Sequence, residues 1–369
     1  MFHDVFKGAK VLITGNTGFK GSWLTVWLLK LGASVVGVSK DVPTDPSNFE
    51  VLNLREKVVH YMDDIRHLER VTSVMAAEKP DFVFHLAAQA IVSRSYRDPL
   101  DTLSTNVMGT AHVLESLRNF AHPCVAVIVT SDKCYDNVEW VWGYRETDPL
   151  GGKDVYSGSK AAAEMAFRSY YHSFFKTSPV RVATSRAGNV LGGGDWAADR
   201  IVPDCMRAWS RGEELNIRNP QATRPWQHVL EPLSGYLALA QALKADARLS
   251  GESFNFGPPS EQTHTVKRII EDLRGTWHGE GGRKACISGE PPPFHEAGVL
   301  KLNCDKALHR LGWGCALSYP EMIRFVGEWY YTYYQRNEDM FQYTLRQIDE
   351  YERAAAAKGW LWCSGENRP

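Results

Sequence analysis

Short apolar runs recur through the first half of the chain: VLIT, SVVGVS, VVHYM, DFVFHLA, VAVIVTS and VRVATSR, separated by stretches of helix length. Runs that stay apolar, instead of alternating with polar residues, suit strands covered on both faces. The alternation of run and helical stretch therefore predicts a parallel, doubly wound α/β sheet with helices on both sides. SWLTVWLLKLG reads as a helix stopped by Gly32, and ASVVGVS as the second strand of a βαβ unit. After Arg186 the pattern gives way to loops rich in Gly, Asp, Trp and Pro, among them GNVLGGGDWAADRIVPD and RNPQATRPWQHVLEP. Such loops commonly build the wall over a second ligand. LSGYLALAQALKAD, Leu233 to Asp246, predicts another amphipathic helix. The tail from Pro320 onward is aromatic and helical, with EWYYTYY as packing or subunit surface. No internal repeat or low-complexity tract interrupts the chain.

The junction VLITGNTGFKGSWL places Gly15, Gly18 and Gly21 between the first strand and the first helix. Gly15 permits a tight turn, Gly18 lets the main chain approach a phosphate, and Gly21 lets the helix lie close to the sheet. The helix N-terminus then offers unpaired N–H groups to an anion, most often a dinucleotide pyrophosphate. An ordinary glycine-rich turn is the alternative for the three glycines alone. Asp64-Ile65 follows the third run, where a carboxylate suits an adenine amino group or, equally, an N-cap. HLAAQA ends the fourth with small side chains, leaving room for a flat cofactor or for close helix packing.

Composition narrows the choice of partner. A formal charge of -1 and a pI near 6.9 over 369 residues provide no general attraction to nucleic acid or anionic membrane. An anionic ligand must instead meet locally placed arginines and backbone donors. No apolar run approaches the roughly 20 residues that span a bilayer, and MFHDVFKGAK lacks a signal-peptide core, so a cytoplasmic location is expected. The cysteines, at 124, 134, 205, 286, 304, 315 and 363, form no CxxC pair, which favours reduced thiols over a disulfide framework or a metal site.

VYSGSKAAAE carries Tyr156 and Lys160 on one helix face. A phenol titrates near 10, and an ammonium one turn away, joined by a positively charged nicotinamide, is expected to favour the phenolate. Such a phenolate can take a hydroxyl proton while hydride leaves the same carbon. The pair lies downstream of an apolar strand ending in TSDKCY. GNTGFKG, HLAAQA, NVMGT, TSDKCY and YSGSK occur in the order found in the extended short-chain dehydrogenase/reductase family, which the chain resembles from about residue 10 to 315. Within that family TGNTGFKGSWL, TSDKCY and GGGDWAADRIVPD are most similar to its nucleotide-sugar dehydratases.

The resemblance implies a Rossmann-type NAD domain, residues 1–188 and 228–254, and a smaller interleaved nucleotide-sugar domain, residues 189–227 and 255–369. It implies NAD held by Gly15, Thr17, Gly18, Phe19, Gly21, Ser39, Asp64, Ile65, Leu86, Ala87, Ala88, Tyr156 and Lys160. It also implies a homodimer or dimer of dimers built on helices near Asn106 and Tyr156. The substrate expected is CDP-glucose, and the chemistry is a 4,6-dehydration with no metal, serving deoxysugar synthesis for surface polysaccharide. Ser131 and Tyr156 would flank the C4 oxygen, and Asp132 would protonate the departing C6 hydroxyl. Lys133 stands where many related dehydratases carry glutamate; it is expected as the C5 base, as stabiliser of the enolate, or turned to solvent. By similarity Asn189, Arg200 and Arg224 line the nucleotide diphosphate site, with His228 near it or structural. Trp196 either stacks on the ligand or packs. Ser39-Lys40 departs from the acidic residue usual at a ribose 2′-hydroxyl, which leaves NADP open beside NAD. A 4-epimerase is the rival activity, since it needs Tyr156 but not Asp132 and Lys133.

Overall fold

A computed structural model describes residues 1–217, 219–259, 261–277, 285–287 and 299–363. The apolar runs form strands β1 (Lys10–Thr14), β2 (Ser34–Ser39), β3 (Val59–Met62), β4 (Phe82–His85), β5 (Cys124–Val129) and β6 (Val180–Ala187). A seventh strand, β7 (Ser253–Phe256), joins them in the order β7-β6-β5-β4-β1-β2-β3. Every pairing in this sheet is parallel. The order reverses between β1 and β4, so a crevice opens beyond the carboxyl ends of those two strands, where ligands of such sheets bind.

Helix α1 (Phe19–Lys30) starts three residues before the expected SWLT, directly at the glycine-rich turn, and ends before Gly32 at φ +81°. Helix α2 (Val155–Tyr170) starts where the Asp154 side chain accepts from the Ser157 N–H. That cap fixes the first turn, which carries Tyr156. Helix α3 (Leu230–Ala245) is the segment expected to be amphipathic, and it is buried on nearly every face, Glu231, Ser234 and Tyr236 included. Its surroundings explain the difference. One side lies on β5 and β6, while Trp313 Nε1 donates to Ser234 Oγ at 2.8 Å and Tyr351 bonds Glu231 at 2.7 Å.

Two apolar cores lie on opposite faces of the sheet, one holding Trp23, Trp27, Leu237 and Trp329, the other Val71, Val74, Val113 and Leu117. The aromatic tail forms α4 (Tyr319–Gln335) and α5 (Met340–Ala357), with Trp329 and Tyr330 fully buried, so EWYYTYY contributes packing. Helix α5 packs on α1, where Trp27 Nε1 donates to Glu352 at 2.8 Å. The loop-rich stretch after β6 is tied by two short strand pairs, Val190–Leu191 with Gln227–His228 and Thr223–Arg224 with His264–Thr265. β7 itself runs across residue 254, the expected domain boundary.

Candidate active site

The cradle at the end of β1 is shaped by its glycines. Gly15 sits at φ +78°, and a Cβ there would lie 2.8 Å from Ala87 N. On Gly21 it would lie 2.1 Å from the Gly15 carbonyl oxygen. Gly18 occupies the N-cap of α1 with no side-chain cap, so the first N–H groups of the helix are left for an anion. Side chains would fill this cradle, and their absence fits a dinucleotide. Leu86, Ala87 and Ala88 line the opposite edge half-buried, and Phe19 is half-buried on the first turn.

Ser39 and Thr17 brace the turn from below. The Ser39 hydroxyl donates to Asn16 Oδ1 at 2.8 Å and accepts from Thr17 N at 3.3 Å, while Thr17 Oγ1 donates to the Asp41 carbonyl at 2.8 Å. Asp64 is not the cap of the following helix, whose N-cap is His67. Its Oδ2 accepts from Arg66 Nε at 2.9 Å and from Arg66 Nη2 at 2.6 Å. Burial works to raise its pKa, but the Arg66 guanidinium outweighs it and holds the carboxyl below the ordinary range. Ile65 is buried, its side chain packed over Gly109, so only its main chain is available to a ligand.

Ser131, Asp132 and Lys133 follow β5 in a tight turn that Ser131 caps, its Oγ accepting from Lys133 N at 3.2 Å. Ser131 Oγ also donates to Asp132 Oδ1 at 2.9 Å and lies within hydrogen-bonding reach of the Tyr156 phenol. Asp132 is buried, its Oδ2 has no hydrogen-bond partner among the described residues, and burial raises its pKa against the opposing charges of Lys133 and Lys20. Lys133 is half-buried.

Tyr156 and Lys160 are both buried on α2. Burial pushes the phenol's pKa up to about 12, and the groups that lower it are Ser131 and Arg200. Lys160 is brought down to about 8 by burial, against the opposing influence of Cys134 and Glu164. Desolvation is the largest influence on the phenol.

On the opposite wall Arg200 bonds Asp195 at 2.7 Å, and Asp195 raises its pKa. Its guanidinium is also the cation that acts on Tyr156, so this residue joins the redox group. Asn189 is half-buried and its carbonyl accepts from Gln227 N at 3.3 Å. Arg224 is nearly buried on its short strand, with Nη1 donating to the Thr223 carbonyl at 2.8 Å. His228 offers no face to a ligand. It is fully enclosed, edge-on to Trp23 and Phe325, and burial lowers its pKa to about 3, so it serves as a neutral core residue. Trp196 likewise packs, against Trp329 and Tyr333, with Nε1 donating to Tyr334 at 3.1 Å.

One cation in the cleft escaped the sequence reading. Lys20, from the first turn of α1, donates to the Tyr236 hydroxyl at 3.4 Å. Burial brings its pKa down to about 8, Arg200 acts in the same direction, and Asp132 opposes them. The available signal was its place inside GNTGFKG, a turn with no other charged residue. Among the described residues no cluster of His, Cys, Asp and Glu could hold a metal ion.

The chain that carries this site is similar to known proteins along most of its length. The chain is 44% identical to CDP-glucose 4,6-dehydratase of Salmonella typhimurium, over 95% of this chain and 98% of that protein. It is 25% identical to dTDP-glucose 4,6-dehydratase of Xanthomonas campestris, over 87% of this chain and 93% of that one. The fold matches UDP-glucose 4-epimerase of Thermotoga maritima with a TM-score of 0.74 at 23% identity, covering 88% of this chain and 98% of that one. It matches dTDP-glucose 4,6-dehydratase of Streptomyces venezuelae, solved with NAD bound, with a TM-score of 0.72 at 20% identity, covering 87% and 96%. The family model described as GDP-mannose 4,6 dehydratase spans residues 12–326. By that match and by its near full-length likeness to a dehydratase, the chain belongs to the GDP-mannose 4,6 dehydratase family.

Proposed function

We propose that the protein is a hydro-lyase converting CDP-glucose to CDP-4-keto-6-deoxyglucose with NAD as cofactor. The observation that carries this reading is the 44% identity to CDP-glucose 4,6-dehydratase across 95% of the chain. The site suits the chemistry. Bound NAD supplies a hydride acceptor for C4 and, later, the hydride donor for C6. The glycine cradle and α1 would hold its pyrophosphate, with Leu86, Ala87 and Ala88 beside it. Tyr156, with Ser131 and Arg200 around it, would engage the C4 hydroxyl. A C4 ketone acidifies the C5 proton, which Lys133 would remove while Asp132 protonates the departing C6 hydroxyl. Arg200, Arg224 and Asn189 would meet the diphosphate. Lys133→Met tests the base: loss of solvent deuterium entry at C5 is expected, and undiminished exchange removes Lys133 from that role.

The sugar-binding part would comprise residues 189–227 and 255–369. No described helix is long and apolar enough to cross a membrane. A cytoplasmic place, a product feeding deoxysugar synthesis for surface polysaccharide, and homodimers that can pair into tetramers complete the reading. Incubation with CDP-, dTDP- and GDP-hexoses, followed by proton NMR, tests it. A C6 methyl doublet from CDP-glucose is the expected result. A product that keeps its C6 hydroxyl would instead mark a 4-epimerase.

A further inference from the structure

Dehydration by way of a 4-ketosugar has a proton account that the roles proposed above leave open. Oxidation at C4 releases one proton from O4, while loss of water consumes one at O6. The C5 proton goes to a base and comes back to C5 when hydride enters C6. Without a link between the first two events, the tyrosine would finish each cycle one proton in excess and the acid one proton short.

Three groups stand in a row at the place where that link is needed. Tyr156 lies within hydrogen-bonding reach of Ser131, and Ser131 Oγ donates to Asp132 Oδ1 at 2.9 Å. Both ends are buried, which makes exchange with bulk water slow compared with a step along the row. We propose that Ser131 is a proton relay: the proton leaving O4 passes from Tyr156 through the Ser131 hydroxyl to the Asp132 carboxylate, and departs in the water formed at C6. This rests on the dehydratase reading given above.

The steps balance. As the C4–H bond breaks with its electron pair, the O4–H proton moves to the Tyr156 oxygen, the phenolic proton to Ser131 Oγ, and the Ser131 proton to Asp132 Oδ1. Asp132 is then the carboxylic acid that the second half needs. It gives the proton to O6 as the C6–O6 bond breaks and Lys133 takes the C5 proton. When hydride enters C6 and Lys133 returns its proton to C5, every side chain is back in its starting state with no proton drawn from solvent.

The surroundings suit such a path. Burial favours the protonated phenol at Tyr156, whose pKa it raises to about 12, so the residue keeps one proton throughout and a proton taken from O4 must be matched by one passed on to Ser131. Burial also raises the Asp132 carboxyl, making it a ready acceptor. The groups facing Asp132 are Lys133 and Cys134 on its own turn, Lys20 from α1, Tyr156 from α2 and Tyr236 from α3.

The test uses the NAD-loaded enzyme and CDP-glucose in a single turnover, with a pH indicator in weak buffer. In the wild type the reduced nicotinamide signal is expected to rise and fall with no proton appearing in solution. One proton released for each nicotinamide reduced overturns the relay. In Ser131→Ala, Asp132 must be charged from bulk water, so decay of the reduced nicotinamide is expected to slow about tenfold per pH unit above the carboxyl's pKa. The wild type and Ser131→Thr, which keeps the hydroxyl, should stay flat. Ser131→Ala with a flat profile overturns the relay as well, and the wild-type indicator measurement decides the matter if that variant does not fold. The methyl signal of the wild-type product separates the two ideas: its absence counts against the dehydratase reading, while its presence with proton release counts against the relay alone.

Discussion

Lys20 shows how one side chain can place a cost inside an otherwise ordinary turn. Its pKa falls from 10.5 to about 8 as burial and Arg200 disfavour the ammonium. A lysine lowered in this way binds fewer protons in the folded state than in the unfolded chain between those two values, so stability rises with pH across that window. Below pH 8 the full cost is present. Lys20→Met should therefore be more stable than the wild type at neutral pH, by about 1–3 kcal/mol after allowing for solvent in the cleft. That advantage should shrink as pH climbs from 8 toward 10.5. Thermal melts of both proteins across the window check it, and a gap that does not change with pH would refute the assignment. His228 behaves differently, because its enclosed neutral ring is structural: it packs on Trp23 and Phe325 and its Nδ1 accepts from the Leu230 N–H at 3.3 Å. His228→Ala is expected to lose about 2–4 kcal/mol in denaturant unfolding while KM for the nucleotide sugar stays put. A raised KM at unchanged stability would return this residue to the ligand site.

Among the elements, helix α2 bears the heaviest demand, since it must hold Tyr156 and Lys160 in register with the turn after β5. One buried ion pair does much of that work: Glu164 accepts from Arg186 of β6 at 2.8 Å, and Thr130 and Thr184 hydroxyls donate to the same carboxylate. Burial would raise the Glu164 carboxyl, but Arg186 and these donors hold it below its ordinary range. Glu164→Ala leaves the buried guanidinium without its counter-charge, with only the neutral acceptors Tyr135, Ser253 and the Glu146 carbonyl, so a loss of about 3–5 kcal/mol in urea unfolding is expected. A loss below about 1 kcal/mol would mean that these neutral acceptors suffice for Arg186. The strands of this scaffold were legible because buried parallel strands must be continuously apolar, and VLIT through VRVATSR are. Helix α3 was legible as a helix but not as a buried one: a surface beneath Glu231, Ser234 and Tyr236 exists only once the C-terminal segments have folded over them. Within the site, Gly15, Tyr156 and Asp132 stood out because their motifs are local in sequence. Lys20 did not, because a lysine in a polar turn reads as solvated until α3 brings Tyr236 across it.

The molecule carries a face that none of the described residues covers. Leu100 is 76% exposed, Leu103 39% and Met108 51%, all on the segment 99–108, and Met165 on α2 is 51% exposed beside them. Side chains of this kind standing together form a patch suited to a partner. The same α2 carries Tyr156 and Lys160 on its buried side, so a second copy docked on the outer side would clamp the catalytic helix from both faces. A stable homodimer of the proposed sort needs roughly 1,200–2,000 Å² of buried surface, more than these few side chains supply, so the proposed interface would have to extend along segment 99–108 and α2. Charges at its centre are then the sharpest probe, because a desolvated carboxylate facing its own copy has no partner. Leu100→Glu combined with Met108→Glu is expected to sediment as a monomer where the wild type sediments as a dimer or larger. The monomer should also melt lower and lose turnover before it loses NAD binding, since Gly15 belongs to the turn between β1 and α1 and not to α2. A double variant that still sediments with the wild type would place the assembly surface elsewhere, and the exposed Val141 and Trp142 of the loop after Tyr135 would be the next positions to charge.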